Sequence, residues 1–368
     1  MNDVAPLPPE VAPRRRWVGL GLLLLALAAT AWVGWREFDY RAAVREAEAA
    51  GYEWRVRDPF ALIRADWHSA FQKATWTGIG RQLNVDQGRD LASLRPLLLR
   101  LRPTGLSVAT INDTNLDALQ GLTALQYLDL RSCTALQNLD ALRGLSGLQN
   151  LNLGGCTALQ NVDGLRGLSG LQTLELSGCT ALRNLDALKD LTGLRGINLS
   201  GCTALQNVDA LNGLSGLQGI KLSACPALQD VDGLQGLSAL QWLDLGRCPA
   251  LQNVDGLKGL SRLQYLNLSG CTALQNVDGL KGPSALQVLD LGRCPALQNV
   301  DGLKALSRLQ WLNLRGCPAL QNVDALMGLA ALRYLDLSDC PKVTTSAVEV
   351  LRVPFAKPGV ICCPPAAR

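Results

Sequence analysis

Over most of the chain the apolar residues recur at one fixed spacing. Ten registers of 23 residues run without insertion or deletion, starting at Leu125, Leu148, Leu171, Leu194, Leu217, Leu240, Leu263, Leu286, Leu309 and Leu332. One copy, residues 263–285, reads LQYLNLSGCTALQNVDGLKGPSA. Counting from its first leucine, leucine occupies positions 1, 4 and 6, cysteine 9, leucine 12, valine or leucine 15, and leucine 18 and usually 21. The period-2 signal at positions 4 and 6 predicts a short strand over positions 3–7, with 4 and 6 inward and 3, 5 and 7 outward. One unit cannot enclose its own leucines. Its neighbours must cover them, which predicts a stack of parallel strands ~4.8 Å apart. Aspartate at position 16 (Asp140, Asp163, Asp186, Asp209, Asp232, Asp255, Asp278, Asp301 and Asp324) is read as the N-cap of a helical turn over positions 17–22, in preference to a calcium ladder.

Two weaker copies precede these rungs in residues 80–124, one on Leu83, Val85, Leu91, Leu94 and Leu97, the next on Leu106, Val108, Leu116, Leu119 and Leu122. Twelve rungs would give a sheet roughly 55–60 Å long. A terminal rung exposes its leucines unless something covers it. Residues 36–79 are read as a helical linker and N-terminal cap, because Asp58-Pro59 is a helix-start signal and Phe60, Ile63, Trp67 and Phe71 share one helical face. At the other end the ten repeats are taken over 125–354 with a closing helix at 344–352. Pro354, Pro358, Pro364 and Pro365 then predict an irregular tail at 355–368.

The skeleton L-x-x-L-x-L-x-x-C, followed by leucine at 12, resembles the leucine-rich-repeat superfamily. With its D-G-L or D-A-L return leg, it is most similar to the short bacterial internalin-type repeats, which usually carry asparagine where this chain has cysteine. The resemblance implies an α/β leucine-rich-repeat solenoid with a curved parallel sheet on the concave face and short helical turns on the convex face. It also implies a binding or scaffold role without naming a partner.

Residues 17–35 form an uncharged run of nineteen, WVGLGLLLLALAATAWVGW, bounded by Trp17 at one end and Trp32 and Trp35 at the other. As a helix it would be roughly 28 Å long, near the ~30 Å of a bilayer core, with tryptophans at the interfaces. A transmembrane signal anchor is the reading adopted. The alternatives are a signal peptide cleaved after Ala29-Thr30-Ala31 and a buried soluble helix. Arg14, Arg15 and Arg16 place residues 1–16 in the cytoplasm and the repeats across the membrane. Arg36, Arg41 and Arg45 beyond the run equal them in number, so the orientation rests on clustering.

Of twelve cysteines, ten occupy position 9: Cys133, Cys156, Cys179, Cys202, Cys225, Cys248, Cys271, Cys294, Cys317 and Cys340. One thiol per rung does not converge on a metal, and parallel side chains in a ladder hold Cβ atoms too far apart for an unstrained disulfide. A structural ladder of buried free thiols is expected, with no metal and no cofactor. Cys362 and Cys363 lie outside it and would lock the C-terminal cap in an oxidising compartment.

From Leu125 to Pro354 the aromatic residues are Tyr127, Trp242, Tyr265, Trp311 and Tyr334, all at position 3 and four of them in the last five rungs. Position 5 reads Asp129, Asn152, Glu175, Asn198, Lys221, Asp244, Asn267, Asp290, Asn313 and Asp336, with Arg131, Arg247, Arg293 and Arg315 beside it. Exposed Trp and Tyr next to Arg is the composition of binding hot spots, although position-3 rings could instead shield the sheet. The sites expected to contact a partner are Trp242, Tyr265, Trp311, Tyr334, Tyr127, Arg247, Arg293 and Arg315.

These features favour a membrane-anchored, non-enzymatic protein that binds a protein or peptide through the concave face. A structural spacer without ligand, or a regulatory subunit attached to an enzyme, are the alternatives. Enzymatic function is disfavoured because His68 is the single histidine and no phosphate loop or nucleophile motif is present. A net charge of +4, with acids and bases mixed on the expected face, disfavours nucleic acid as a partner.

Overall fold

The chain divides into two compact units, Met1–Gly51 and Tyr52–Arg368. The computed structural model describes residues 54–57, 80–85, 91–109, 111–344 and 361–363, all in the second unit. The span 17–35, the cytoplasmic tail 1–16, the helix expected at 58–79 and all but the first residue of the closing helix at 344–352 lie outside the described residues. Among the described residues no helix is long and apolar enough to cross a membrane.

The described strands form one sheet in strict chain order: β1 (Trp54–Arg57), β2 (Gly80–Val85), β3 (Gly105–Val108), β4 (Tyr127–Asp129), β5 (Asn150–Asn152), β6 (Thr173–Glu175), β7 (Gly196–Asn198), β8 (Gly219–Lys221), β9 (Trp242–Asp244), β10 (Tyr265–Asn267), β11 (Val288–Asp290), β12 (Trp311–Asn313), β13 (Tyr334–Asp336) and β14 (Ile361–Cys363). From β4 to β13 the pairing is parallel and position opposes equal position, as in Trp242↔Tyr265 and Val288↔Trp311. An unbroken 23-residue repeat produces this register, since every rung advances the chain by the same vector.

In the rung from Leu240, the side chains of Leu240, Leu243, Leu245, Cys248, Leu251, Val254, Leu257 and Leu260 are at most 1% exposed. The strand covers only positions 3–5, shorter than the expected 3–7. The backbone turns left-handed at position 8 in all ten rungs, on Gly155, Gly178, Gly201, Gly270 and Gly316 but also on Ser132, Ala224, Arg247, Arg293 and Asp339, with φ between 57° and 75°. The turn ends the strand and swings Cys into the core.

On the return leg, 3-10 turns replace the expected helical turns, as in Asp140–Leu142 and Asp255–Leu257. The aspartate is their first residue and does not cap them. The residue before it, leucine or valine, has no capping side chain, and the Oδ1 of the Asx residue at position 14 accepts from the aspartate N–H at 2.6–3.4 Å in nine rungs. The aspartate carboxylate is turned outward, and in six rungs it pairs with the Lys or Arg three residues on, as in Lys258–Asp255 at 2.9 Å. Pairs this exposed contribute little to stability.

The two weaker copies fold as rungs. Leu83 and Val85 on β2 are buried with Leu91, Leu94, Leu97, Leu98 and Leu101 of helix α1 (Leu91–Leu101). Leu106 and Val108 on β3 are buried with Leu116 of helix α2 (Asp113–Leu116) and with Leu119 and Leu122. At each end a strand stands where the sequence predicts none. Within the supposed helical stretch 36–79, β1 is a strand antiparallel to β2, with Trp54 opposite Leu83 and Arg57 opposite Gly80. Within the supposed irregular tail, β14 pairs parallel with β13, Leu335 opposite Cys362. An end strand otherwise leaves a row of backbone N–H and C=O groups unpaired, and a further strand satisfies that need directly.

The ten position-9 cysteines are free and at most 2% exposed. From Cys156 to Cys340 each thiol donates to the position-6 carbonyl of the preceding rung at 3.0–3.3 Å, for example Cys248 Sγ to Leu222 O at 3.1 Å. Burial pushes the Cys179 and Cys248 thiols up to about 12 and those of Cys225 and Cys294 up to about 11. In the unfolded chain a thiol ionises near ~8.5. Above that value the unfolded state has released protons that the native state keeps. The contribution to stability is therefore complete below ~8.5 and is lost as pH rises through the window to the folded value, at ~1.4 kcal/mol per thiol per pH unit. Urea unfolding measured from pH 7 to pH 10 should show stability falling steeply above ~8.5, with a shallower fall after Cys225→Ser with Cys248→Ser. Equal slopes for the two proteins would show that these thiols are not buried as neutral donors.

Candidate binding surface

Outward residues of the sheet come from positions 3 and 5. In-register parallel strands ~4.8 Å apart set equal side chains directly above one another, so flat rings at position 3 stack. Trp242 on β9 and Tyr265 on β10 have ring centroids 5.3 Å apart and planes 9° apart. Trp311 on β12 and Tyr334 on β13 repeat the arrangement at 5.2 Å and 6°. Val288 on β11 separates the two pairs. All four rings are half-buried, each covered on one side by its partner. Lys221 Nζ stands 5.4 Å from the Trp242 ring centroid, within cation–π range.

Position 5 alternates carboxylate and amide for a related reason: equal charges stacked on adjacent strands repel. Asn267 Nδ2 donates to Asp244 Oδ1 at 2.8 Å, Asn313 Nδ2 to Asp290 Oδ1 at 2.9 Å, and Asn198 Nδ2 to Glu175 Oε2 at 2.9 Å. The same aspartate oxygens also accept the backbone N–H two residues on, Gly246 at 3.0 Å and Gly292 at 2.9 Å. A side chain on either glycine would meet Asn267 or Asn313 at 2.7 Å, so glycine leaves room for the amide to reach the carboxylate. Burial raises the Asp290 pKa, and Asp244 adds to the rise. The Tyr265 hydroxyl is raised by burial and by Asp244 and Asp290.

The expected site residues separate into groups. Trp242, Tyr265, Trp311 and Tyr334 share one face. Tyr127 is not an exposed contact: it is 8% exposed, its hydroxyl lies 3.4 Å from Asp129 Oδ2, and burial, then Asp129, raises its pKa. It turned inward because Asp129, clamped by Arg131, offers it an acceptor beside the core. Arg247 and Arg293 lie on the position-8 turn at φ 60° and 59°, exposed, with their stems over Gly270 and Gly316 of the next rung. A non-glycine residue there costs about 1–2 kcal/mol. Arg315 is exposed and pairs with Asp339 at 3.1 Å. Arg247 and Arg293 therefore edge the aromatic face, and Arg315, at position 7, is drawn to Asp339 beside it. Toward the N-terminus position 3 carries Asn150, Thr173, Gly196 and Gly219. Among the described residues no group of three or more His, Cys, Asp or Glu is placed to hold a metal ion.

A family model described as the Endo-beta-N-acetylglucosaminidase EndoS LRR domain matches residues 171–255. The fold is similar to that of an internalin, inlF, from Listeria monocytogenes, with a TM-score of 0.60 at 19% identity over 71% of this chain and 72% of that one. The chain has a leucine-rich-repeat fold. Two further Listeria monocytogenes structures are similar over part of the chain. Internalin C2 gives a TM-score of 0.42 at 26% identity, covering 55% of this chain and 85% of that chain. The functional domain of InlJ, described as including a cysteine ladder, gives 0.47 at 17%, covering 66% and 58%. None of the curated proteins matches the sequence.

Proposed function

We propose that this protein binds a protein or peptide through the sheet face of β9 to β13, performs no chemistry of its own, and is held at a membrane by residues 17–35 with the repeats outside the cytoplasm. The two stacked Trp–Tyr pairs carry the reading. The stacked rings hold one another rigid and stay half-buried, and such aromatics with polar margins are what interface centres are built from. The sheet itself does not require them, since Gly196 and Gly219 hold the same position in equally regular strands. The membrane part rests on the uncharged, tryptophan-bounded run, and the absence of catalysis on the lack of a nucleophile motif and the single histidine.

Trp242→Ala combined with Trp311→Ala should weaken binding of the partner retained by the full chain at least 30-fold, the factor corresponding to ~2 kcal/mol. Melting should fall by only a few degrees, because stacked pairs contribute ~0.5–1.5 kcal/mol each. Unchanged affinity with a collapsed melting temperature would mean that the rings only shield the sheet. For the anchor, alkaline carbonate extraction should leave the chain in the membrane pellet, whereas a mature N-terminus at Trp32 would rule the anchor out.

A further inference from the structure

The sheet face contains one carboxylate whose ligand is already in place. On β4 the Arg131 guanidinium grips Asp129: Nε lies 3.1 Å from Oδ1 and 2.8 Å from Oδ2, and Nη2 2.5 Å from Oδ2. Arg131 can do this because it follows the strand by two residues, where its backbone N–H also bonds Asp129 Oδ1 at 3.1 Å. β9, β11 and β13 carry Asp244, Asp290 and Asp336 at the equivalent place, and the residue two on is Gly246, Gly292 or Ser338. No arginine of the chain's own stands there.

The bonds those three carboxylates make fall on one oxygen. Oδ1 of Asp244 accepts from Gly246 N and Asn267 Nδ2, Oδ1 of Asp290 from Gly292 N and Asn313 Nδ2, and Oδ1 of Asp336 from the Ser338 N and Oγ. Oδ2 of each accepts no hydrogen bond from the described residues. Positions 3 and 5 of β9 to β13 thus carry three carboxylates and no cation, bounded on one side by Lys221 of β8. Arg315, at the position of Arg131 on the rung between Asp290 and Asp336, is engaged by Asp339 at 3.1 Å, and Arg247 and Arg293 on the position-8 turns confine a cationic ligand to the strand positions.

Building on the binding face proposed above, we infer that its partner presents an extended segment with arginine at every third residue. Guanidinium groups take the open Oδ2 atoms of the half-buried Asp244 and Asp290, as Arg131 takes that of Asp129; Asp336, at the end of the row, is only 8% exposed. The spacing selects the backbone. Carboxylates on alternate rungs are ~9.6 Å apart, and a polyproline II segment returns to the same face after three residues, ~9.3 Å. A β-strand offers same-face spacings of ~6.6 or ~13 Å and falls out of register. Polyproline II segments also dock on aromatic-lined surfaces at low ordering cost, and the two Trp–Tyr pairs supply such a surface between the carboxylates.

The test is fluorescence anisotropy of the full chain in detergent with a labelled nonapeptide of three Arg-Pro-Pro units, beside an isomer with its three arginines adjacent. The regular peptide should bind at least 10-fold more tightly than the isomer, and its affinity should fall with added salt. Asp244→Asn with Asp290→Asn, which keeps each Oδ1 acceptor, should weaken binding at least 10-fold, while Glu175→Gln on β6 should leave it unchanged. Melting curves of the variants confirm that they are folded, and the isomer comparison needs no variant. Equal binding of the two peptides, indifference to the aspartate substitutions, or no binding of the regular peptide would each overturn the inference. If a natural partner still depended on Trp242 and Trp311 in any of those cases, the binding face would stand and only its arginine specificity would be wrong.

Discussion

No rung of this protein can bury its own core, and every other feature follows from that. The leucines of one 23-residue turn are covered by the turns before and after it, and the backbone groups of each strand are satisfied by its two neighbours. The cysteine thiol belongs to the same system. It is buried and supplies a weak donor to a carbonyl of the preceding rung, so the core is linked along the stack by hydrogen bonds as well as by contact. A charged or bulky residue at position 9 would disturb two rungs at once.

Strict repetition has a consequence on the outside of the sheet. Equal positions stand above one another at strand spacing, so each outward row becomes a ladder of interacting side chains. Ladders of rings are favourable and appear as the Trp242–Tyr265 and Trp311–Tyr334 stacks. A ladder of carboxylates is not, and the chain relieves it by placing asparagine on alternate rungs. The result is a surface on which acceptors recur every second rung and the aromatic pairs every third. The left-handed turn is carried without glycine at Arg247 and Arg293, and equally at Ser132, Ala224 and Asp339, so this strain runs along the whole stack.

The leucine spacing made the stack legible from the sequence, including the degenerate rungs on Leu83 and Leu106, because that spacing is the physical cause of the stack. The strands β1 and β14 were not legible: they join the sheet through backbone pairing at its ends, which demands no side-chain period. The capping residue was misread because Asn138 and Asp140 are both good caps two residues apart, and only the start of the 3-10 turn distinguishes them. Tyr127 was grouped with the other aromatics by position alone. The signal that separates it was present in Arg131, two residues beyond Asp129, which closes that carboxylate and brings the phenol inward. The alternation at position 5 was visible as a row of letters, but its meaning depends on which oxygen each amide reaches.

The proposed recognition is localised to one stretch of an otherwise uniform sheet. A photo-crosslinking benzoylphenylalanine placed at Val288, between the two stacked pairs, and separately at Thr173 on β6 measures this directly. Crosslinks to the retained partner from position 288 and none from 173 are the predicted result. Crosslinks of equal yield from both, or from 173 alone, would contradict it.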